Sequence, residues 1–243
     1  MHPEALEPHG LALRDYFRGN TSATLIIRRD DGVETALPVG HFFRAPDAFS
    51  AIENMALGLC KGRVLDMGAG SGLHSLVLQA KGLSVTAVDI NHHAVNIMSE
   101  RGLVDVRCAD IFHFTGGPFD TLLMMGHGIG MVETIAGLGR FLQHAGGLLA
   151  EGGQVLLDSV DVRKTADPAH FAYQEANRQA GRYVGEIRLQ FEYQGQVGPT
   201  CGWLHVAGET LGTHARRANW RCEVVLQEQP GDYLARLTKQ RTA

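Results

Sequence analysis

Three glycines, Gly68, Gly70 and Gly72, take alternate positions behind Asp66 in the stretch VLDMGAGSGLHS (64–75). Glycine reaches left-handed backbone angles without steric cost and lets a ligand lie against main-chain amides. Three carboxylates accompany the loop: Asp66 closes VLD, Asp89 closes SVTAVD and Asp110 closes VRCAD. Asp89 is placed to accept hydrogen bonds from both hydroxyls of a ribose. Asp110 is placed to read an adenine amino group, and Asp66 to face an ammonium or the loop's own amides. Such a set suits a ligand with a ribose, an exocyclic amine and a positive charge, and suits a pyrophosphate poorly. The dinucleotide fingerprint G-x-G-x-x-G/A fails too: its third place holds Leu73 counted from Gly68 and Ser75 counted from Gly70. A P-loop fails because no Gly-Lys-Ser/Thr follows.

The elements that must position these residues follow from periodicity. SATLIIRR, Asp30-Asp31-Gly32 and VETALPV predict a hairpin. Phe49, Ile52, Ala56 and Leu59 lie on one helical face between Pro46 and Gly62. Short apolar runs (RVLDM, SVTAVDI, VDVRCAD, FDTLLMM, QVLLDS) then alternate with helical segments, two of which stop at Gly82 and Gly102. Leu138, Phe141, Leu142, Ala145, Leu148 and Leu149 mark the helical face before the fifth strand. Apolar strands alternating with helices predict an α/β, doubly wound, mostly parallel sheet covered on both faces. EIRLQFEY alternates apolar and polar residues, which predicts a strand with one wet face. A helix over about 209–218 and the pair CEVVLQE and YLARLT complete the chain.

Taken in order, VLDMGAGSG, VDI, CADIF, FDTLLMM and LLAEGGQVLLDS resemble the motif series of class I S-adenosylmethionine-dependent methyltransferases. The resemblance covers about residues 60–160. It implies a seven-stranded sheet whose last strand is antiparallel, with S-adenosyl-L-methionine as cofactor. It further implies that Asp66, Gly68, Ala69, Gly70 and Gly72 hold the methionine part and that Asp89, with Ile90 beside it, holds the ribose. Asp110 and Ile111 would flank the adenine, and Met125 and Gly126 would line the cofactor after the fourth strand. The expected organisation is a single domain. Residues 1–60 form an N-terminal hairpin and helix that can act as a lid, 61–160 the cofactor-binding core, 161–206 an inserted β-hairpin that can cover substrate, and 207–243 a helix and the C-terminal hairpin of the sheet.

Methyl transfer from a sulfonium needs alignment, desolvation and, for some acceptors, removal of a proton. The acceptor side should begin at MMGHGIGMVET, where His127 is the titratable residue of the turn and the candidate general base. This turn lacks the Asn/Asp-Pro-Pro-aromatic motif of enzymes that methylate base nitrogens or glutamine. It also lacks the acidic cluster of metal-dependent O-methyltransferases. Phe43 and Arg44 in HFFRAP, with Tyr193 and Trp203 in the insertion, are candidates for holding a small organic acceptor. No metal is expected: the 12 histidines show no HxxxH or HExxH spacing, and His92 and His93 adjoin on a helix, where neighbours point apart.

A net charge of −4 gives no electrostatic footprint for nucleic acid. Cys60, Cys108, Cys201 and Cys222 form no CxxC pair and read as reduced thiols. MHPEALEPHG lacks the apolar core of a signal peptide, and no run is long enough to span a membrane, so the expected compartment is cytoplasm. The expected function is methylation of a small molecule. Methylation of a protein side chain and non-catalytic cofactor binding are the alternatives, with a dehydrogenase opposed by the glycine spacing. Oligomeric state is not legible.

Overall fold

Short runs of apolar residues build the centre of the molecule, for which a computed structural model describes residues 1–240. Helix α1 (Glu7–Phe17) precedes a hairpin, β1 (Thr24–Arg29) and β2 (Glu34–Pro38). Two short 3-10 turns lead to α2 (Ala51–Leu59), whose start is fixed by a capping box: Ser50 accepts from the Glu53 amide, and the Glu53 carboxylate accepts from the Ser50 amide. The alternating part follows as β3 (Arg63–Met67), α3 (Leu73–Ala80), β4 (Ser84–Asp89), α4 (His92–Glu100), β5 (Asp105–Cys108) and β6 (Phe119–Met124). Next come α5 (Ile135–Leu148) and β7 (Leu149–Val160). Asn91 caps α4 and Thr134 caps α5 through side-chain oxygens that accept from backbone amides.

These strands form a seven-stranded sheet together with β11 (Trp220–Gln227) and β12 (Asp232–Lys239), in the order β11-β12-β7-β6-β3-β4-β5. The pairs within β7-β6-β3-β4-β5 are parallel, while β12 runs against both β7 and β11. The last strand is therefore the reversed one, as expected, and it lies inside the sheet with β11 at the edge. Helices cover both faces. Phe141 and Leu142 of α5 pack with Leu122 and Leu157 on one face, and Ile52 and Leu78 pack with Val64 and Leu123 on the other. Parallel strands buried on both faces explain why β3 and β6 read as continuous apolar runs.

The additions differ from the expectation in two ways. Helix α1 falls before the expected hairpin, and α6 (Pro168–Gln179), capped by Asp167, falls inside the expected insertion. More consequentially, the N-terminal hairpin and the insertion are one structure. Strands β8 (Glu186–Tyr193), β9 (Gln196–Val197) and β10 (Cys201–Leu204) join β1 and β2 in an antiparallel sheet of order β10-β8-β1-β2, with β9 on β8. The seam is β1 on β8, from Ile26 opposite Glu192 to Arg29 opposite Leu189. The alternation in EIRLQFEY faces Leu189, Phe191 and Tyr193 into a separate core with Leu13 of α1 and Ile97 of α4. Helix α7 (Gly208–Arg217) returns the chain to the main sheet.

Candidate functional site

Parallel strands bring the carboxyl ends of β3, β4 and β6 side by side, and open α/β sheets bind ligands at such ends. Gly68, Gly70 and Gly72 have φ of 77°, 56° and 79°, all left-handed. A β-carbon on Gly68 would lie 2.4 Å from Met131 Cε, whereas one on Gly70 would meet nothing within 4 Å. The loop thus packs under Met131 at its start and opens onto free space at its middle.

Two buried carboxylates flank this space. Asp66 accepts a 2.6 Å hydrogen bond from Ser75 Oγ. Burial pushes its carboxyl above the usual carboxylate range, against the opposing charge of His74 and the Ser75 hydrogen bond. Asp89 Oδ2 accepts from the Gly70 amide at 2.8 Å and Oδ1 from the Asn91 amide at 2.8 Å. Burial pushes Asp89 up as well, opposed by these amides. A carboxylate offers about four acceptor positions. With two occupied, one lone pair on each oxygen is left for a ribose-like diol.

The remaining cofactor candidates divide. Ile111 is buried in the main core, Met125 is buried on the opposite face of the sheet, and Gly126 (φ 68°) opens onto free space. Ala69 packs against the small cluster of Ala87, Met98 and Leu103. Ile90 belongs instead to the core beneath the second sheet, apart from Ile111. Asp110 lies two residues beyond the end of β5, and its carboxylate serves its own turn: Oδ1 accepts from the Phe112 amide at 2.9 Å, and Oδ2 is 3.0 Å from His113 Nδ1. An aspartate here stabilises the turn itself, so it is less free to read an adenine amine than the spacing suggested.

A second cluster forms at the ends of β6, β7 and β12. His127, with φ of 57°, donates its backbone amide to Asp158 Oδ1 at 2.9 Å, while its Nε2 lies 2.9 Å from Asp232 Oδ1 and 3.9 Å from Asp158 Oδ2. Burial pulls the imidazole pKa down, but the Asp232 hydrogen bond and the charges of Asp158 and Asp232 outweigh it and the net shift is upward. The His127 hydrogen bond holds the Asp232 carboxyl below its usual range. Burial pushes Asp158 up despite the neighbouring imidazole. His205 stands edge-on to His127 at 5.4 Å between centroids. Its buried Nδ1 has no partner, and burial lowers its pKa to about 3, so this ring is neutral.

Of these four residues, sequence reasoning singled out His127 alone. Asp158 closes the apolar run VLLD as Asp66 and Asp89 close theirs, and that signal was available. Asp232 follows the Pro230-Gly231 turn, and His205 carries no local signal.

The acceptor candidates scatter. Trp203 reaches this end of the sheet: a β-carbon on Gly130, in the turn after β6, would fall 2.1 Å from its indole. Tyr193 does not reach it. Its ring is buried under the second sheet and its hydroxyl donates to Asp15 Oδ2 at 3.2 Å, because it lies at the hairpin end of β8. Phe43 stacks on Tyr16 at 4.8 Å, with the Arg101 guanidinium 5.3 Å from its ring centre. Arg44 is taken up by Glu53, which also accepts from His74 at 2.7 Å. Burial alone would raise the Glu53 pKa, but His74, the Ser50 amide and Arg44 hold it at about 2. Ser71 of the glycine loop donates to the Phe42 carbonyl. The segment from Phe42 to Glu53 is thereby fastened to the loop and to α3.

Comparison with known proteins matches this architecture. Residues 41–222 match the methyltransferase domain family. A crystal structure of a SAM-dependent methyltransferase from Bacteroides fragilis, in complex with S-adenosyl-L-homocysteine, superposes with a TM-score of 0.85 at 30% identity, over 98% of this chain and 97% of that one. The CcbJ methyltransferase from Streptomyces caelestis shares the fold, with a TM-score of 0.61 at 11% identity over 80% and 94% of the two chains. Ubiquinone biosynthesis O-methyltransferase from Caulobacter sp. (strain K31) is 33% identical over 107 residues, and the match spans 41% of that relative's length. The chain belongs to the class I S-adenosylmethionine-dependent methyltransferases. Among the described residues no helix is long and apolar enough to cross a membrane.

Proposed function

We propose that the chain methylates a hydroxyl group of a small molecule, with His127 as the general base. The observation that carries this reading is the 2.9 Å contact between His127 Nε2 and Asp232 at the end of the sheet beyond the glycine loop. The O-methyltransferase similarity favours oxygen as the acceptor atom. In this reading Asp89 holds the ribose, and the glycine loop with Asp66 holds the methionine part. The open space at Gly70 and the two spare lone pairs of Asp89 fit such a ligand.

S-adenosylmethionine supplies an activated methyl group, so the protein's own contribution is alignment, exclusion of water and proton removal. His127 takes the acceptor's proton as the new O–CH₃ bond forms and the S–CH₃ bond breaks, leaving S-adenosylhomocysteine. Asp232 holds the imidazole by one nitrogen and stabilises the imidazolium that results. Asp158 fixes the His127 backbone in its left-handed conformation. Trp203 forms an apolar wall. Incubating the enzyme with a metabolite extract and methyl-labelled cofactor tests the reading. Label in a low-molecular-mass methyl ether supports it, and label confined to protein overturns it.

A further inference from the structure

We propose that Glu7, His92 and His93 form a binding site for a borderline divalent cation, zinc being the best match, that fastens α1 to the start of α4. The reading of the sequence set the adjacent histidines aside because helical neighbours diverge. Here they occupy the first two positions of α4, and their rings lie 3.9 Å apart between centroids. Glu7 arrives from α1, with Oε1 3.1 Å from His93 Nε2. One donor atom from each of the three residues lies within 4.8 Å of the others.

Two imidazoles and one carboxylate are a zinc-type donor set, whereas magnesium and calcium require oxygen donors. Bonds of about 2.0–2.2 Å in a tetrahedron place donor atoms roughly 3.4 Å apart. The Glu7–His93 pair already meets that spacing, and His92, which is exposed, closes the remainder by side-chain rotation. Glu7 and His92 also line a cleft of about 340 Å³, together with Glu4, and no Lys or Arg lines it.

Asn91 joins the two helices that carry the ligands. A β-carbon on Gly10 would fall 2.2 Å from Asn91 Oδ1, so the α1 backbone lies directly against the side chain that caps α4. Asn91 donates from Nδ2 to the Leu6 carbonyl at 2.6 Å and accepts from the His93 amide at 2.9 Å. Its own amide donates to Asp89, which ties the site to the cofactor-facing carboxylate. Cation binding therefore stiffens the N-terminal helix against the element that carries Asp89.

Titrating tag-free, metal-stripped protein with zinc chloride in a calorimeter tests the assignment. One saturable equivalent is expected in the wild type, weakened at least tenfold in His92→Ala and in Glu7→Gln. His92→Ala leaves the His93–Glu7 contact in place and so spares the fold. Hydrogen exchange over residues 3–17 is expected to slow with zinc in the wild type but not in His92→Ala. No saturable binding, equal affinity in the variants, or equal protection in both proteins would overturn the proposal.

Discussion

The glycine loop and the two buried carboxylates that flank it come from one continuous stretch, from Asp66 to Asp89, whereas the cluster beyond it gathers His127, Asp158, His205 and Asp232. The His127–Asp232 contact alone closes a separation of 105 residues. The first region is largely backbone: left-handed glycines, amides aimed at Asp89, and carboxylates buried at strand ends. The second is made of side chains that hold one another. A ligand held through main-chain contacts constrains a short motif. A proton-transfer site needs correct side-chain geometry only after the sheet has formed.

Substitutions that act on one region and spare the other sharpen this contrast. Apart from substitutions of Asp89, the largest loss of ligand affinity is expected at Gly70→Val. Nothing lies within 4 Å of the added β-carbon, so the main structural cost is the left-handed backbone, about 1–2 kcal/mol. The isopropyl group fills the ligand space, and affinity for S-adenosylhomocysteine should fall more than about 100-fold, a loss of some 2.7 kcal/mol. A melting curve and a binding isotherm separate the two effects.

Next in size is His127→Asn, which retains a residue tolerant of φ near 57° while removing the base. Turnover is expected to fall about 10²–10⁴-fold. Asp232→Asn should act on the same step through pH. With its pKa raised by the two carboxylates, wild-type His127 is protonated at low pH, so activity rises with pH through a value above 6.5. Removing the Asp232 charge lowers that value and moves the profile to lower pH. A profile that does not move would detach Asp232 from the base.

The smallest effect concerns the segment fastened over the loop. Glu53, held at about 2 against an ordinary 4.5, contributes stability that is present above pH 4.5 and is lost as pH falls towards 2. Glu53→Gln should cost about 1–3 kcal/mol at neutral pH, with the gap from wild type closing in acid. Denaturant titrations at several pH values check the sign.

The same contrast explains what could be read from the sequence. The apolar runs of β3, β4 and β6, the glycine loop, and the pairing of β11 with β12 all rest on local periodicity or a short motif, and the structure has them. Helix α1 was missed because EPHGLALRDYF carries Pro8, Gly10 and polar residues among its apolar ones, and its register is set by docking Gly10 on Asn91. The β1–β8 seam joins segments separated by more than 150 residues of sequence, which no local pattern encodes. Tyr193 was a reasonable candidate by residue type. Its position at the hairpin end of β8 turned it into core, whereas Trp203, ten residues later, lies against Gly130 in the turn after β6.

Side-by-side calorimetry of S-adenosylhomocysteine binding to Asp89→Ala and His127→Asn tests the division between the two regions most directly. Asp89→Ala should lose about 3–6 kcal/mol of binding through two missing charge-assisted hydrogen bonds, while His127→Asn should bind within about threefold of wild type. Equal losses in both proteins, or full affinity in Asp89→Ala, would contradict the account.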